Sequence, residues 1–135
     1  MKNLLFLSLF FFIPFTFTQA QSVDTGIQFY EEGSYQKALD IFENINTSEA
    51  FLFAGKSHYA LTNYLKAKYY LNSVDEADKV FHDEALYTLA LVEFQLKNFA
   101  ASLDALHKLN KSSPSPSVSR DAYDFYSDLL DYLSP

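Results

Sequence analysis

This chain of 135 residues has no cysteine, no tryptophan and only three glycines, and its ten basic residues face 17 acidic ones. Each scarcity excludes something. Without cysteine no disulfide can staple a small loop-rich domain, and no thiol can carry a lipid, so packing alone must hold the fold. Three isolated glycines (Gly26, Gly33 and Gly55) cannot form the glycine-rich loop that cradles a phosphate. A chain so poor in cations offers nucleic-acid phosphates no basic surface.

Long hydrophobic runs are also scarce. The one at the start comprises residues 4–17, 14 in all, where a membrane-spanning helix needs roughly 20. Lys2 precedes it and Thr18-Gln19-Ala20 follows, the order of an export signal: a positive residue, a short apolar core, a small residue before the cut. The expectation is a cleavable signal over residues 1–20 and an exported, periplasmic or secreted, chain from Gln21. Pro14 weakens the alternative, an uncleaved N-terminal anchor. The mature part keeps nine basic and 17 acidic residues, a charge of about −8. A helical chain of its length buries more than roughly 60% of its unfolded surface, enough to dispense with disulfides.

What the chain does have is a spaced set of residues that returns three times. Gly26, Tyr30, Tyr35, Ala38 and Phe42 form the first copy; Gly55, Tyr59, Tyr64, Ala67 and Leu71 the second; Ala90, Phe94, Phe99, Ser102 and Leu106 the third. The offsets from the first residue are 4, 9, 12 and 16 each time: small, aromatic, aromatic, small, large apolar. A set recurring in register is the mark of a repeat architecture, in which each unit is one supersecondary element.

Between residues 22 and 109 the apolar residues follow helical spacing, broken where turns are expected. The pattern predicts three helical hairpins over about 22–46, 48–74 and 78–110. Their helices should cover 22–32 with 35–46, 48–61 with 64–74, and 78–96 with 99–110. Gly33 suits the left-handed end of the first helix, with Asn63 and Asn98 one place further on in the later turns. Thr47 or Ser48 would cap the third helix. Residues 111–119, with five serines and two prolines, read as a connector, and a last helix is expected over 119–133. Its packing stripe would be Ala122, Phe125, Tyr126, Leu129 and Leu133, and its wet stripe Asp121, Asp124, Asp128 and Asp131.

The run Gly26-x-x-Phe29-Tyr30-x-x-Gly33-x-Tyr35-x-x-Ala38-x-x-x-Phe42 resembles the tetratricopeptide repeat, a helical hairpin of about 34 residues. The second copy carries Thr62 where that family often has glycine. The third departs further, with Ala90, Lys97 and Ser102 at the small positions, while Pro114 falls where the family commonly ends a unit. The resemblance covers about 22–114. It implies an all-α, right-handed α-solenoid of antiparallel hairpins over residues 21–113, with a connector and C-terminal capping helix over 114–135.

The resemblance also implies a function. First helices of such hairpins line a concave groove that holds a peptide segment or partner helix. This puts Val23, Ile27 and Tyr30 in the groove from the first unit, Leu52, Lys56 and Tyr59 from the second, and Tyr87, Leu91 and Phe94 from the third. Aromatic anchors there bind with little loss of side-chain entropy. Some members grip two carboxylates with a clamp of lysine, asparagine and arginine. The matching positions here hold Val23, Ile27, Leu52 and Lys56, so an apolar or weakly basic segment fits better than an acidic tail.

No catalytic, cofactor or metal site is expected. His58, His82 and His107 are scattered, and adjacent helical residues such as His82, Asp83 and Glu84 point in different directions. The four aspartates near the C-terminus lack the loop spacing and glycine of a calcium turn. Asn46-Thr47-Ser48 and Asn110-Lys111-Ser112 match the glycosylation pattern, relevant only to a eukaryotic secretory route. The expected role is a non-catalytic protein-binding adaptor for another protein or peptide. The alternative is a structural subunit of a cell-envelope assembly, membrane-associated or self-associating, that uses its outer face or repeat ends.

Overall fold

Two of the helix starts carry side-chain caps: Ser22 accepts from the Thr25 N–H and Thr47 from the Ala50 N–H, at 3.4 and 3.2 Å. The computed structural model describes residues 22–135, so the expected signal segment lies outside the described residues. Those residues form α1 (Val23–Glu31), α2 (Tyr35–Phe42), α3 (Ser48–Ala60), α4 (Tyr64–Leu71), α5 (Lys79–Gln95), α6 (Phe99–Ser112) and α7 (Pro116–Leu133), with no strand among them. The protein is all-α.

Three boundaries differ from expectation. Helices α2 and α4 stop at Phe42 and Leu71, about one turn early, and tightened turns carry the chain onward through Ile45 N–H to Phe42 and Val74 N–H to Leu71 bonds. Helix α7 starts at Pro116 rather than Ser119. Proline suits a first helical position because its fixed φ is already helical and no N–H is missed there. The connector thus shrinks to Ser113, Pro114 and Ser115. Ser113 ends α6 in the left-handed conformation at φ 55°, a common way for a helix to stop.

The turns inside the three hairpins are one structure made three times. Gly33, Thr62 and Lys97 sit at φ 77°, 60° and 64°. Their N–H groups bond Tyr30, Tyr59 and Phe94, while the next N–H groups, of Ser34, Asn63 and Asn98, reach back to Phe29, His58 and Glu93. This pair of bonds is the Schellman motif, which satisfies the last carbonyls of a helix and demands a left-handed residue. Glycine takes that conformation freely; a β-branched threonine is strained in it.

Close approach within each hairpin depends on the small residues. A Cβ on Gly26 would lie 2.5 Å from the Phe42 ring, and one on Gly55 would lie 2.6 Å from Leu71 Cγ. In the third hairpin Ala90 and Ser102 take the small places, both fully buried. The Ser102 hydroxyl donates to the Ala90 carbonyl at 2.7 Å, which satisfies a polar group where alanine would need no partner. The aromatics at offsets 4 and 9 meet across each turn: Tyr30–Tyr35, Tyr59–Tyr64 and Phe94–Phe99, with ring centroids 5.5, 5.8 and 5.7 Å apart.

Every odd-numbered helix after the first packs on the two helices before it, whereas the even-numbered ones touch only sequence neighbours. The core follows as three linked clusters. Ala38, Leu39 and Phe42 join Ala50 and Ala54; Leu52, Ala67 and Leu71 join Ala85 and Val92; Leu86, Ala105, Leu106 and Leu109 join Ala122 and Leu129. Helix α7 departs from its expected stripe. Ala122 and Leu129 are buried, but Tyr126 and Leu133 are exposed, and Tyr132, also exposed, lays its ring against Phe94 and Phe99.

Thr62→Gly and Lys97→Gly should each raise unfolding stability by about 1 kcal/mol by removing a side chain from a left-handed turn. Gly26→Ala should lower it by about 2 kcal/mol, because the buried Phe42 ring has nowhere to go. Chemical denaturation midpoints at constant m-value would check both.

Candidate interaction face

The residues expected on a shared face occupy stripes spaced four and three apart along α1, α3 and α5, and the contacts among these helices bring the stripes side by side. Val23, Ile27 and Tyr30 are half-buried on α1, Lys56 and Tyr59 on α3, and Tyr87, Leu91 and Phe94 on α5. Leu52 does not belong with them. It is 1% exposed, in the cluster with Ala67, Leu71 and Val92, because α3 is covered by helices on both sides at that level.

Phe94 has partners beyond its own hairpin. Phe125 and Tyr132 of α7 pack on it with centroids 5.7 and 5.4 Å away, and the Lys97 ammonium lies 5.5 Å from its ring. The last helix therefore packs on the third unit's aromatic, which stays half-buried like Tyr30 and Tyr59. Each of those rings is held by its own hairpin partner rather than standing free. Val23 and Ile27 lean on the first core cluster.

At the centre is Lys56. Its Nζ is 3.2 Å from Glu84 of α5, 5.6 Å from the centroid of Tyr30 on α1 and 5.1 Å from that of Phe53 on its own helix. Phe53 stands edge-on to Tyr30 at 5.3 Å. One ammonium thus joins three helices through a carboxylate and two ring faces. Both charged groups keep substantial access to water, so the ion pair contributes under about 1 kcal/mol; its main effect is to orient the residues of this face.

Two tyrosines on the face have phenols raised above the ordinary value of 10.0. For Tyr30 the main cause is burial, followed by Tyr35 and the charge of Glu84. For Tyr87 it is again burial, followed by Asp121, Tyr59 and Asp124. The charges of Asp121 and Asp124, both exposed on α7, act in the same direction as burial. Phe53 and Glu84 are the members of this face that sequence reasoning missed.

The other charged groups serve packing. Asp83, 4% exposed, accepts from Lys79 Nζ at 2.6 Å and Ser112 Oγ at 2.5 Å, tying the start of α5 to the end of α6. Adjacent Glu84 turns to Lys56, so the His82-Asp83-Glu84 run separates as helical geometry requires. Glu93, also buried, meets Lys68 Nζ at 2.7 Å and Asn98 Nδ2 at 2.8 Å. His58 stacks on Tyr70 and bonds Glu43 through Nε2 at 2.9 Å. A cleft of about 360 Å³ lies elsewhere, between α6 and α7, lined by Leu106, His107, Leu109, Tyr123 and Tyr126 among others. Among the described residues, no three histidine, aspartate or glutamate side chains gather as metal ligands, and no helix is long and apolar enough to cross a membrane.

No family model matches this chain, and searches of curated proteins and of solved structures return no match.

A phenol raised in the folded state favours the folded state while it remains protonated. Stability from Tyr30 and Tyr87 should be complete below pH 10, and should fall as pH rises through and beyond that value. In a spectrophotometric titration, the double substitution Asp121→Asn with Asp124→Asn should move one tyrosine back toward 10.0 and leave Tyr30 unmoved.

Proposed function

We propose that this protein is an exported, non-catalytic adaptor of tetratricopeptide-like build, a right-handed solenoid of three hairpins closed by α7, which holds a segment of another protein along its odd-numbered helices. The observation that carries the reading is the row formed by Tyr30, Lys56, Tyr59, Tyr87 and Leu91: half-buried aromatic, apolar and charged side chains from three helices on one face. Support for the architecture comes from the three identical hairpin turns and the shared small-residue contacts. Helices touching along the odd row but not along the even one would curve the shared face inward. Such a preformed groove receives a segment with little ordering cost of its own.

The perturbed groups on this face fit recognition better than catalysis. A phenol raised above 10.0 is a poorer base at neutral pH, whereas catalytic groups are tuned toward the working pH. The signal-like residues 1–20 support export. Their low similarity to a spanning helix, 14 apolar residues interrupted by Pro14, favours release over anchoring.

A second reading has its own observation. Leu65 and Tyr69 on α4 are 75% and 68% exposed, an apolar pair one helical turn apart on an even-numbered helix. A structural subunit of an envelope assembly would bury this outer face in a neighbour.

Photo-crosslinking separates the two. A benzophenone side chain in place of Tyr59 should capture a partner in cell-envelope preparations, while the same group in place of Leu65 should capture none. The reverse result would transfer the interaction to the outer face and overturn the groove reading.

A further inference from the structure

We infer that α7 pairs two copies of this chain, stripe against stripe and antiparallel, through Tyr123, Tyr126, Leu130 and Leu133. The pairing does not depend on the groove, because its surface is made by α6 and α7 rather than by α1, α3 and α5.

Helix α7 carries more apolar surface than its docking uses. Val118, Ala122, Phe125 and Leu129 face the third core cluster. Tyr123, Tyr126, Leu130 and Leu133, spaced by three, four and three, form a second stripe beside the first, and all four are exposed. A stripe at this spacing is the seam by which one helix packs on another. Helix α7 also rests more loosely on α5 and α6 than α5 does on α3 and α4. Beside its first half this leaves the cleft of about 360 Å³, which reaches down to Leu106 and Leu109 and is walled by Tyr123 and Tyr126.

The patch is complementary to itself. Its first half holds the cleft, and its second half holds two leucines. A two-fold axis at the level of residue 128 sets Leu130 opposite Tyr126 of the second copy, and Leu133 opposite Tyr123. The leucines of each chain then lie over the cleft of the other. Such an isologous contact closes at two copies. Head-to-tail stacking lacks a matching end: among the described residues, the exposed large apolar side chains outside α7 are Leu65, Tyr69 and Val80, none of them on α1 or α2.

Charge permits the same arrangement. At about 100° per residue, Asp121, Asp124, Asp128 and Asp131 fall on the far side of α7 from the stripe. The positions flanking it on the free side are Arg120, Ser127 and Ser134. Two chains of net charge −7 therefore meet without setting carboxylate against carboxylate. Four side chains and a cleft rim per copy fall short of the roughly 800 Å² per partner of a standard interface, so the dimer should be weak and concentration-dependent.

Sedimentation velocity on the protein expressed from its full sequence, from about 5 to about 500 μM, should show monomer passing to dimer and no larger species. Leu130→Glu with Leu133→Glu should weaken the dimer at least about tenfold, with helicity retained. Leu65→Glu with Tyr69→Glu, an equal change of charge on α4, should leave it within about twofold. Because the chain has no cysteine of its own, single cysteines report the arrangement. Tyr123→Cys mixed with Leu133→Cys should give a disulfide-linked pair under mild oxidation. Neither should link to itself, because the two-fold holds like positions about 15 Å apart, beyond disulfide reach. Self-linking of each variant would mean parallel pairing and overturn the inference. A chain monomeric at every concentration, a dimer that survives the leucine changes, or one lost through Leu65 and Tyr69 instead would also overturn it.

Discussion

The closeness of paired helices at three small-residue contacts is the constraint on which the rest of this structure depends. At Gly26 against Phe42, and at Gly55 against Leu71, there is no room for even one added carbon. That proximity lets a large side chain from the second helix of each hairpin lie across the first, and it lets a turn of three residues close the pair. Interiors are packed like organic crystals, so such contacts fix relative position rather than merely favour it. The third hairpin shows how far the rule can stretch. Alanine replaces glycine, and Ser102 replaces alanine only because its hydroxyl finds the Ala90 carbonyl.

From this constraint follows the face proposed to bind. With each hairpin closed tightly, the first helices can contact one another in sequence, and their stripes become one surface. Lys56 is the consequence most easily traced. Its reach to Tyr30 on one neighbour and Glu84 on another exists only because three helices hold a common register. The buried carboxylates have a similar origin. Asp83 and Glu93 are tolerated because lysine, serine and asparagine side chains from adjacent elements are brought within hydrogen-bond distance, as buried charge requires.

Much of the fold was legible before any coordinate. Spacing placed the seven described helices, because apolar periodicity and turn residues are local properties, and the cap of α3 was narrowed to Thr47 or Ser48, of which Thr47 serves. Less legible was where α2 and α4 stop, since nothing local forbids another turn after Phe42 or Leu71; the docking of the next helix ends them. The start of α7 was misplaced because Pro116 read as a breaker, although at a first helical position it is a starter. The candidate face divided in the same way. Tyr30, Lys56, Tyr59, Tyr87, Leu91 and Phe94 are all half-buried on their helices, but Leu52 was not recognisable as core. Burial at Leu52 comes from Ala67, Leu71 and Val92, residues distant in the chain.

The sequence by itself determined the helical class, the three hairpins, the left-handed place in each turn and the acidic balance. All of these depend on residue type and short-range spacing: apolar period, a small residue at a fixed offset, a count of charges. Only the tertiary structure decided that Leu52 is core, that α7 packs Phe125 and Tyr132 on Phe94, and that Glu84 answers Lys56 rather than its neighbours in print. Those outcomes depend on how one helix is rotated against another. A rotation of one residue, 100° about the axis, carries a side chain from core to surface without changing any local preference.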